Sequence, residues 1–444
     1  MHNPILRNSD VLPGAAGAAG RDAGLSLWQA TGNPAPALPE LRESVRADVA
    51  VVGGGYLGLA CALQLAEAGA DAVLLEAESP GFGASGRNGG QVIPGLKYDP
   101  DELRALYGAG PAEAMIDFAG RTADRVFDTV ARYGMDCDAV RHGWIQGAHN
   151  ETMLRTTRRR AAQWQACGAD VELLDGEQIG RMVGSAPGLY RGGWIDRRAG
   201  SVHPLNYARG LADAAAARGA RLYQQSAARR IERAQAGWRI ATDRGQVQAG
   251  QVVIATNAYT DDLWPGLRTS VVPALSSQIA TEPLPAALRE TILPGRQAVS
   301  DARRLLHYYR LDAAGRLVIG GRGPLSDRDD EGAYRHIRRA LVSTFPQLAD
   351  APLPYRWSGR LAMTRDGMPH LHRPAPGLTM ALGCNGRGVA LTTAVGQAIA
   401  GHLLAGDASP LPFAAMPIVP IPFHRMHRVF VSLMVQYYKI RDLF

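Results

Sequence analysis

The chain has 444 residues, 46% hydrophobic and 20% charged, which is enough apolar material for a sizeable core and rules out a mainly disordered polymer. Its formal charge is +7, and of the 48 basic residues only Lys97 and Lys439 are lysines. The arginines are scattered without aromatic interleaving, so no nucleic-acid partner is expected.

In chain order, Gly14-Ala-Ala-Gly-Ala-Ala-Gly20 is low complexity and reads as an arm. A Pro-rich extended stretch follows at 33–39. Residues 48–52 form a short apolar run, the pattern of a buried parallel strand. That run meets Gly53-Gly-Gly-Tyr-Leu-Gly58, then a helical pattern over 57–68 that Gly69 stops. A second strand at 72–75 ends at Glu76, which completes a βαβ opening. Residues 81–95 hold too much glycine for a regular element. Helical patterning covers 101–133, a strand is read at 140–147, and a helix at 155–167. After Gly200-Ser-Val-His-Pro204 come a helix at 205–217 and strands at 221–225, 236–242 and 252–255. Residues 270–321 alternate as a mostly antiparallel sheet, with breaks at Pro273, Pro283, Pro285 and Pro294. A strand at 378–382, a Gly-rich loop and a helix at 389–404 precede a Pro-rich, then helical, tail.

The four cysteines (Cys61, Cys137, Cys167, Cys384) form no C-x-x-C pair and read as free thiols of a reducing compartment. No run of about 18 apolar residues predicts a membrane-spanning helix. The start lacks a basic-then-apolar signal pattern. The expected compartment is therefore the cytoplasm. His370 and His372 have no third ligand nearby, so no metal is expected.

The glycine pattern Gly53-x-Gly55-x-x-Gly58 follows a strand and opens a helix. The first glycine suits a tight turn, the second a close approach to pyrophosphate, and the third close helix–strand packing. Phosphates would sit on the helix N-terminus, where free N–H groups and the helix dipole favour negative charge. Glu76, at the tip of the second strand, can accept both ribose hydroxyls and would repel a 2′-phosphate. This pattern alone leaves the dinucleotide open.

Three further segments bear on it: Ala84-Ser-Gly-Arg-Asn-Gly-Gly-Gln91, Ala255-Thr-Asn-Ala258 and Gly383-Cys-Asn-Gly-Arg-Gly388. In that order they resemble the FAD-dependent D-amino-acid oxidase superfamily, and residues 85–99 are most similar to its bacterial γ-glutamylputrescine oxidase branch. The resemblance spans about residues 27–444. It implies an FAD-dependent oxidoreductase that oxidises a C–N bond of an amine or amino acid to an imine, which hydrolyses to an aldehyde or keto acid. The cofactor carries the difficult step, so no strong base is required. The implied cofactor-binding residues are Gly53, Gly55, Gly58, Glu76, Ser85, Arg87, Asn88, Gly89, Thr256, Asn257, Gly383, Asn385, Gly386, Arg387 and Gly388. The candidate catalytic residues are Lys97, His203 and Arg387. His203 also has a purely structural reading.

The sequence departs from the family pattern in three places. The positions that clamp a substrate carboxylate in sarcosine oxidase-like members fall on residues 91–94 and Ala390, none of them basic. That favours a γ-glutamylputrescine-like amine with a remote charged end. The covalent-flavin position falls at Ser358, so FAD is expected to be non-covalent. The segment that carries an oxygen-activating lysine, residues 316–320, has none. Lys97 is then the remaining candidate, and the electron acceptor is either O2 or a quinone. The rival readings are an amino-acid dehydrogenase (D-amino acid, pipecolate or sarcosine-like) that passes electrons to a quinone, an NAD-dependent dehydrogenase, and a non-catalytic flavin-binding protein.

The expected fold is α/β. A discontinuous Rossmann-like FAD-binding domain takes residues 45–95, 196–260 and 360–410. An α+β substrate domain with a mostly antiparallel sheet takes 96–195 and 261–359. An N-terminal arm covers 1–44. The tail, 411–444, reads as a helix docked on the FAD domain, with a membrane-surface helix as the second reading.

Overall fold

The computed structural model describes residues 26–324 and 331–442, so the low-complexity stretch at 14–20 lies outside the described residues. A short helix, α1 (Leu27–Ala30), is closed by a capping box between Ser26 and Gln29. Strand β1 (Ser44–Val52) is buried over its last four residues and runs into α2 (Tyr56–Glu67). β2 (Ala72–Leu75) and the short β3 (Gln91–Val92) follow. The helical pattern over 101–133 resolves into α3 (Pro100–Tyr107), α4 (Ala109–Gly120) and α5 (Thr122–Tyr133). Gly108 breaks the first two apart at φ +76°, a conformation open to glycine.

The middle of the chain supplies β4 (Trp144–Ala148), α6 (Glu151–Ala166), β5 (Val171–Asp175), α7 (Gly176–Val183), β6 (Gly192–Asp196), β7 (Gly200–Ser201) and α8 (Pro204–Ala217). Next come β8 (Arg221–Tyr223), β9 (Arg230–Ala234), β10 (Gly237–Ala241), β11 (Gln246–Ile254), β12 (Val272–Pro283), α9 (Ala286–Arg289), β13 (Ala298–Asp301), β14 (Tyr308–Leu311) and β15 (Arg316–Arg322). The last elements are α10 (Glu331–Thr344), β16 (Tyr355–Met363), β17 (His370–Ala375), β18 (Leu378–Leu382), α11 (Gly388–Ala405) and α12 (His427–Arg441).

Two large sheets organise these elements. In the first, β18, β11, β1, β2 and β8 are parallel neighbours in that order. β17 adds an antiparallel edge, and β10 and β9 continue antiparallel from the first half of β11. β1 lies between β11 and β2, so the loops after β1 and β11 diverge and open a crevice at the strand C-termini. α2 and α11 cross closely over this sheet. A Cβ on Gly396 would stand only 2.3 Å from the Leu57 carbonyl oxygen. One described helix, α11, is long and apolar enough to cross a bilayer, yet Val389, Leu391, Val395 and Ile399 are buried in the core.

The second sheet runs β16-β12-β15-β14-β13-β4-β6-β5. Its neighbours are antiparallel except for the parallel pair β13 and β4. The first sheet draws its strands from 44–75, 221–254 and 370–382, and the second from 144–196 and 272–363. α3, α4 and α5 send Leu103, Ile116 and Val126 into a core shared with α2 and α11 and with Trp144 and Trp194 of the second sheet.

Candidate active site

The crevice begins where β1 ends. The chain turns at Gly53, φ +110°, and a Cβ there would lie 2.9 Å from the Ala255 carbonyl oxygen. At Gly58 a Cβ would fall 2.0 Å from the Gly53 carbonyl oxygen. These two glycines therefore answer to backbone packing. Gly55 differs: it is the N-cap of α2, with no side-chain cap, and a Cβ there would meet only the Ser85 hydroxyl, at 3.0 Å. Ser85 Oγ accepts the Tyr56 N–H at 3.0 Å. Glu76 accepts the Gly54 N–H at 2.6 Å and the Glu78 N–H at 2.9 Å, and burial raises its carboxyl above the usual range. The carboxylate thus ties the end of β2 to the glycine turn.

Residues 84–91 form the next wall. The Asn88 amide donates to Ala84 O and Ser85 O at 3.0 and 2.8 Å, and its oxygen accepts the Gly90 N–H at 2.7 Å. Arg87 Nε donates to Phe82 O at 2.9 Å. The carbonyls of this loop are held from outside. Trp28 Nε1 donates to Asn88 O at 2.8 Å, Trp357 Nε1 to Arg87 O at 3.0 Å, and Arg310 Nε to Gly89 O at 2.7 Å. Burial lowers the pKa of Arg310 to about 10, and its guanidinium lies 4.9 Å from the Trp28 ring centroid. Gly89 makes room for the Tyr308 ring, which a Cβ would meet at 2.6 Å. None of Trp28, Tyr308, Arg310 and Trp357 is a sequence candidate, because each acts on a loop far away in the chain.

The third wall is the Gly383-Cys-Asn-Gly-Arg-Gly388 loop. Asn257, at φ +46°, accepts the Gly383 N–H at 3.0 Å and donates to Cys384 Sγ at 3.4 Å. Thr256 bonds Thr260 at 2.6 Å instead and does not line the crevice. Asn385, at φ +49°, accepts the Thr364 N–H at 3.0 Å and donates to Gly383 O at 2.8 Å. Gly386, at φ +87°, and Gly388 carry the chain into α11, whose N-cap, Arg387, makes no capping bond. The Arg387 side chain turns away to donate to Pro94 O at 2.7 Å and lies 6.0 Å from the Trp144 ring centroid. Burial, then the nearby Arg160 charge, lowers its pKa to about 10.

These walls enclose a cavity of about 850 Å³ between the two sheets. Two helix N-termini whose own N-cap residues make no side-chain cap, those of α2 and α11, open on it through Gly55, Tyr56, Gly388 and Val389. Six cations line it: Arg87, Lys97, Arg304, Arg322, Arg360 and Arg387. Among the described lining residues there is no aspartate or glutamate. Lys97 stands on the loop before α3, exposed, beside Gly367 and Asn385, and makes no hydrogen bond or ion pair among the described residues. Ser358 lies outside the lining, with its hydroxyl 2.7 Å from that of Ser277.

His203 is not part of this site. It is the N-cap of α8; its Nδ1 accepts the Asn206 N–H at 3.2 Å and its Nε2 lies 3.1 Å from Thr31 Oγ1. Burial, aided by the Arg310 charge, lowers its pKa to about 3. A neutral ring that caps a helix accounts for this histidine, and the expectation of a catalytic role is corrected. His370 pairs with Asp366 at 2.9 Å, and His372 donates to Met416 O at 2.9 Å.

The donor set fits a phosphate-bearing dinucleotide. A pyrophosphate requires free N–H groups, local positive charge and a glycine with space above it, and all three meet at the start of α2. The second open helix terminus suits a ring that gains negative charge on reduction.

Residues 48–401 match the DAO family, described as FAD dependent oxidoreductase. The chain is 38% identical over 421 residues to the γ-glutamylputrescine oxidoreductase of Escherichia coli (strain K12), covering 94% of this chain and 98% of that protein. It is 26% identical over 363 residues to glycine oxidase from Geobacillus kaustophilus (strain HTA426), covering 80% of this chain and 92% of that protein. The crystal structure of the Geobacillus kaustophilus glycine oxidase superposes with a TM-score of 0.70 at 24% identity, covering 85% of this chain and 99% of that one.

Proposed function

The chain belongs to the DAO family of FAD-dependent oxidoreductases that act on amines and amino acids, and on that premise we propose that its substrate is an amine whose carboxylate is remote from the reacting carbon, of the γ-glutamylputrescine type. FAD, when bound, would supply the oxidising power as a two-electron acceptor: the amine would lose a hydride from the carbon bearing nitrogen and a proton from nitrogen, and water would hydrolyse the resulting imine. The chain's own residues bind, orient and set the charge. The starts of α2 and α11 and the Ser85 and Asn88 loop would hold the cofactor without a covalent bond, a reading supported by the serine, Ser358, at the position that the family resemblance gives for the link.

One observation carries the substrate reading: among the described residues the lining has six cations and no carboxylate. An ammonium group finds no counter-charge there, so the neutral amine, the form that can be oxidised, binds preferentially. A carboxylate finds several partners. Arg322 stands out, because burial lowers its pKa and its guanidinium's one hydrogen bond among the described residues goes to Gly323 O at 2.8 Å. It sits on the second sheet, away from the helix starts assigned to the cofactor, as a clamp for a remote carboxylate must. Gln91, at one family clamp position, is occupied with Val299 O and Tyr309 O.

The test is anaerobic flavin bleaching with γ-glutamylputrescine, putrescine, glycine and sarcosine. γ-Glutamylputrescine should bleach fastest. Arg322→Leu should weaken its binding by about 10-fold or more, the loss of one charge-assisted pair, and leave putrescine unaffected. Faster bleaching by glycine or sarcosine would overturn the substrate reading.

A further inference from the structure

The helix α12 has two apolar faces, and the cavity accounts for one of them. Val431, Val435 and Tyr438 face the cavity, with Phe430 and Met434 at its edge. Met426, in the short turn just before the helix, and Val429, Leu433 and Tyr437 on it, spaced i, i+4 and i+8, make up the opposite face. These side chains are 49%, 52%, 63% and 50% exposed. Phe423, also before the helix, is 75% exposed. Three large apolar residues on one helical stripe, continued by Met426, are a patch, not scattered exposure.

The charge around this stripe is one-sided. From 410 to 441 the chain has no aspartate or glutamate, while Arg425, Arg428, Lys439 and Arg441 flank the helix at both ends and are exposed. The first acid, Asp442, is turned inward. Its carboxylate accepts the N–H groups of Arg304 and Leu305 at 3.0 and 3.1 Å. At the other end His424 Nε2 donates to Val271 O at 2.8 Å. The helix is thus fastened at both ends across the cavity, with its apolar stripe outward.

We propose that this outward face seats the protein on an anionic lipid bilayer, with the stripe in the headgroup boundary and the flanking cations on the phosphates. An interfacial helix needs this combination of apolar face and basic rim. A second copy of the chain fits less well. Both ends of α12 are basic, so parallel and antiparallel pairing alike would bring like charges together. The seating would also turn the cavity mouth toward the lipid. This inference does not depend on the choice of substrate.

The test is co-sedimentation of the flavin-loaded protein with vesicles of phosphatidylcholine alone and with about 30 mol % phosphatidylglycerol. Binding should be at least ~10-fold stronger to the anionic vesicles and should weaken in high salt. The double variant Val429→Glu, Leu433→Glu should lose that binding by at least ~10-fold while its flavin content and melting temperature stay at wild-type values. Equal binding to both vesicle types, or undiminished binding by the folded variant, would overturn the proposal. So would a concentration-dependent dimer that the variant abolishes, together with no vesicle binding by the wild type.

Discussion

Gly55 and Gly58 lie three residues apart and should fail in different ways when changed to alanine. At Gly58 the new methyl would stand 2.0 Å from the Gly53 carbonyl oxygen and 3.2 Å from Val51 Cγ1. The first partner is backbone and cannot swing away, so α2 or the turn must shift by about 1 Å. Overpacking of this kind costs ~1–3 kcal/mol and occasionally more, against ~1 kcal/mol gained from better helix propensity. A 2.0 Å contact with backbone puts the cost at the upper end of that range, so the net effect is a loss of about 2 kcal/mol before any cofactor binds, a drop of a few degrees in the melting temperature of the apoprotein. At Gly55 the methyl meets only the Ser85 side chain, its hydroxyl at 3.0 Å, and replacing glycine by alanine at an N-cap costs about 0.5–1 kcal/mol. Apoprotein stability should therefore fall by no more than about half as much as for Gly58→Ala, while FAD affinity falls about 10-fold or more because the methyl occupies the space above the helix start. Thermal melts of both apoproteins and fluorescence titration with FAD separate the two effects. If Gly55→Ala melts as low as Gly58→Ala, or binds FAD like wild type, the division of labour between the two glycines is wrong.

Glu76→Gln should weaken FAD by about 1–3 kcal/mol, the range for hydrogen bonds to a charged group, and an unchanged dissociation constant would remove Glu76 from the ribose site. His203 has its folded pKa lowered from 6.5 to about 3, so the unfolded chain binds the proton first on acidification. Its contribution is complete above pH 6.5 and falls by roughly 1.4 kcal/mol per unit as the pH drops toward 3. His203→Asn keeps a capping side chain and should flatten that slope in urea titrations; an identical slope would locate the acid sensitivity elsewhere. Lys97→Met should slow reoxidation of the reduced enzyme by oxygen about 10-fold while anaerobic reduction by substrate is unchanged, because the Lys97 ammonium at the cavity lining favours negative charge arriving nearby. An unaltered reoxidation rate would leave Lys97 as a loop residue. Acid precipitation should release all of the flavin into the supernatant, and colour retained in the pellet would contradict the non-covalent assignment.

The local parts of this fold were legible because their physics is local. Strand 72–75 is read from a four-residue apolar run, and strand 378–382 is found at its predicted bounds. Helix 205–217 gains one residue, Pro204, whose fixed φ suits a first turn. α10 carries its own signal in Tyr334, Ile337 and Leu341, which is easily lost beside the Pro-rich sheet segments. Partnerships at a distance were not legible. Trp28, Arg310 and Trp357 hold the loop at 87–89 across 60, 221 and 270 residues of chain. Nothing near any of them in sequence announces that role. The parallel pairing of β13 with β4 inside an otherwise antiparallel sheet is hidden for the same reason.

The candidate site follows the same rule, with a consequence for its chemistry. A flavoenzyme of this kind keeps its oxidising power in the cofactor, so the chain carries few residues whose type alone proclaims a reaction. His203 drew attention because histidine is the usual proton carrier, yet a histidine before a proline at a helix start already has a job as a cap. What distinguishes the cavity is collective: six cations from segments between residues 87 and 387, and no carboxylate among the described lining. No single segment contains that property, because acidic residues are spread along the chain and, among the described residues, only the fold keeps them out of the lining. The proposed selection of a neutral amine with an anionic remote end would therefore reside in which surfaces the two sheets turn toward each other.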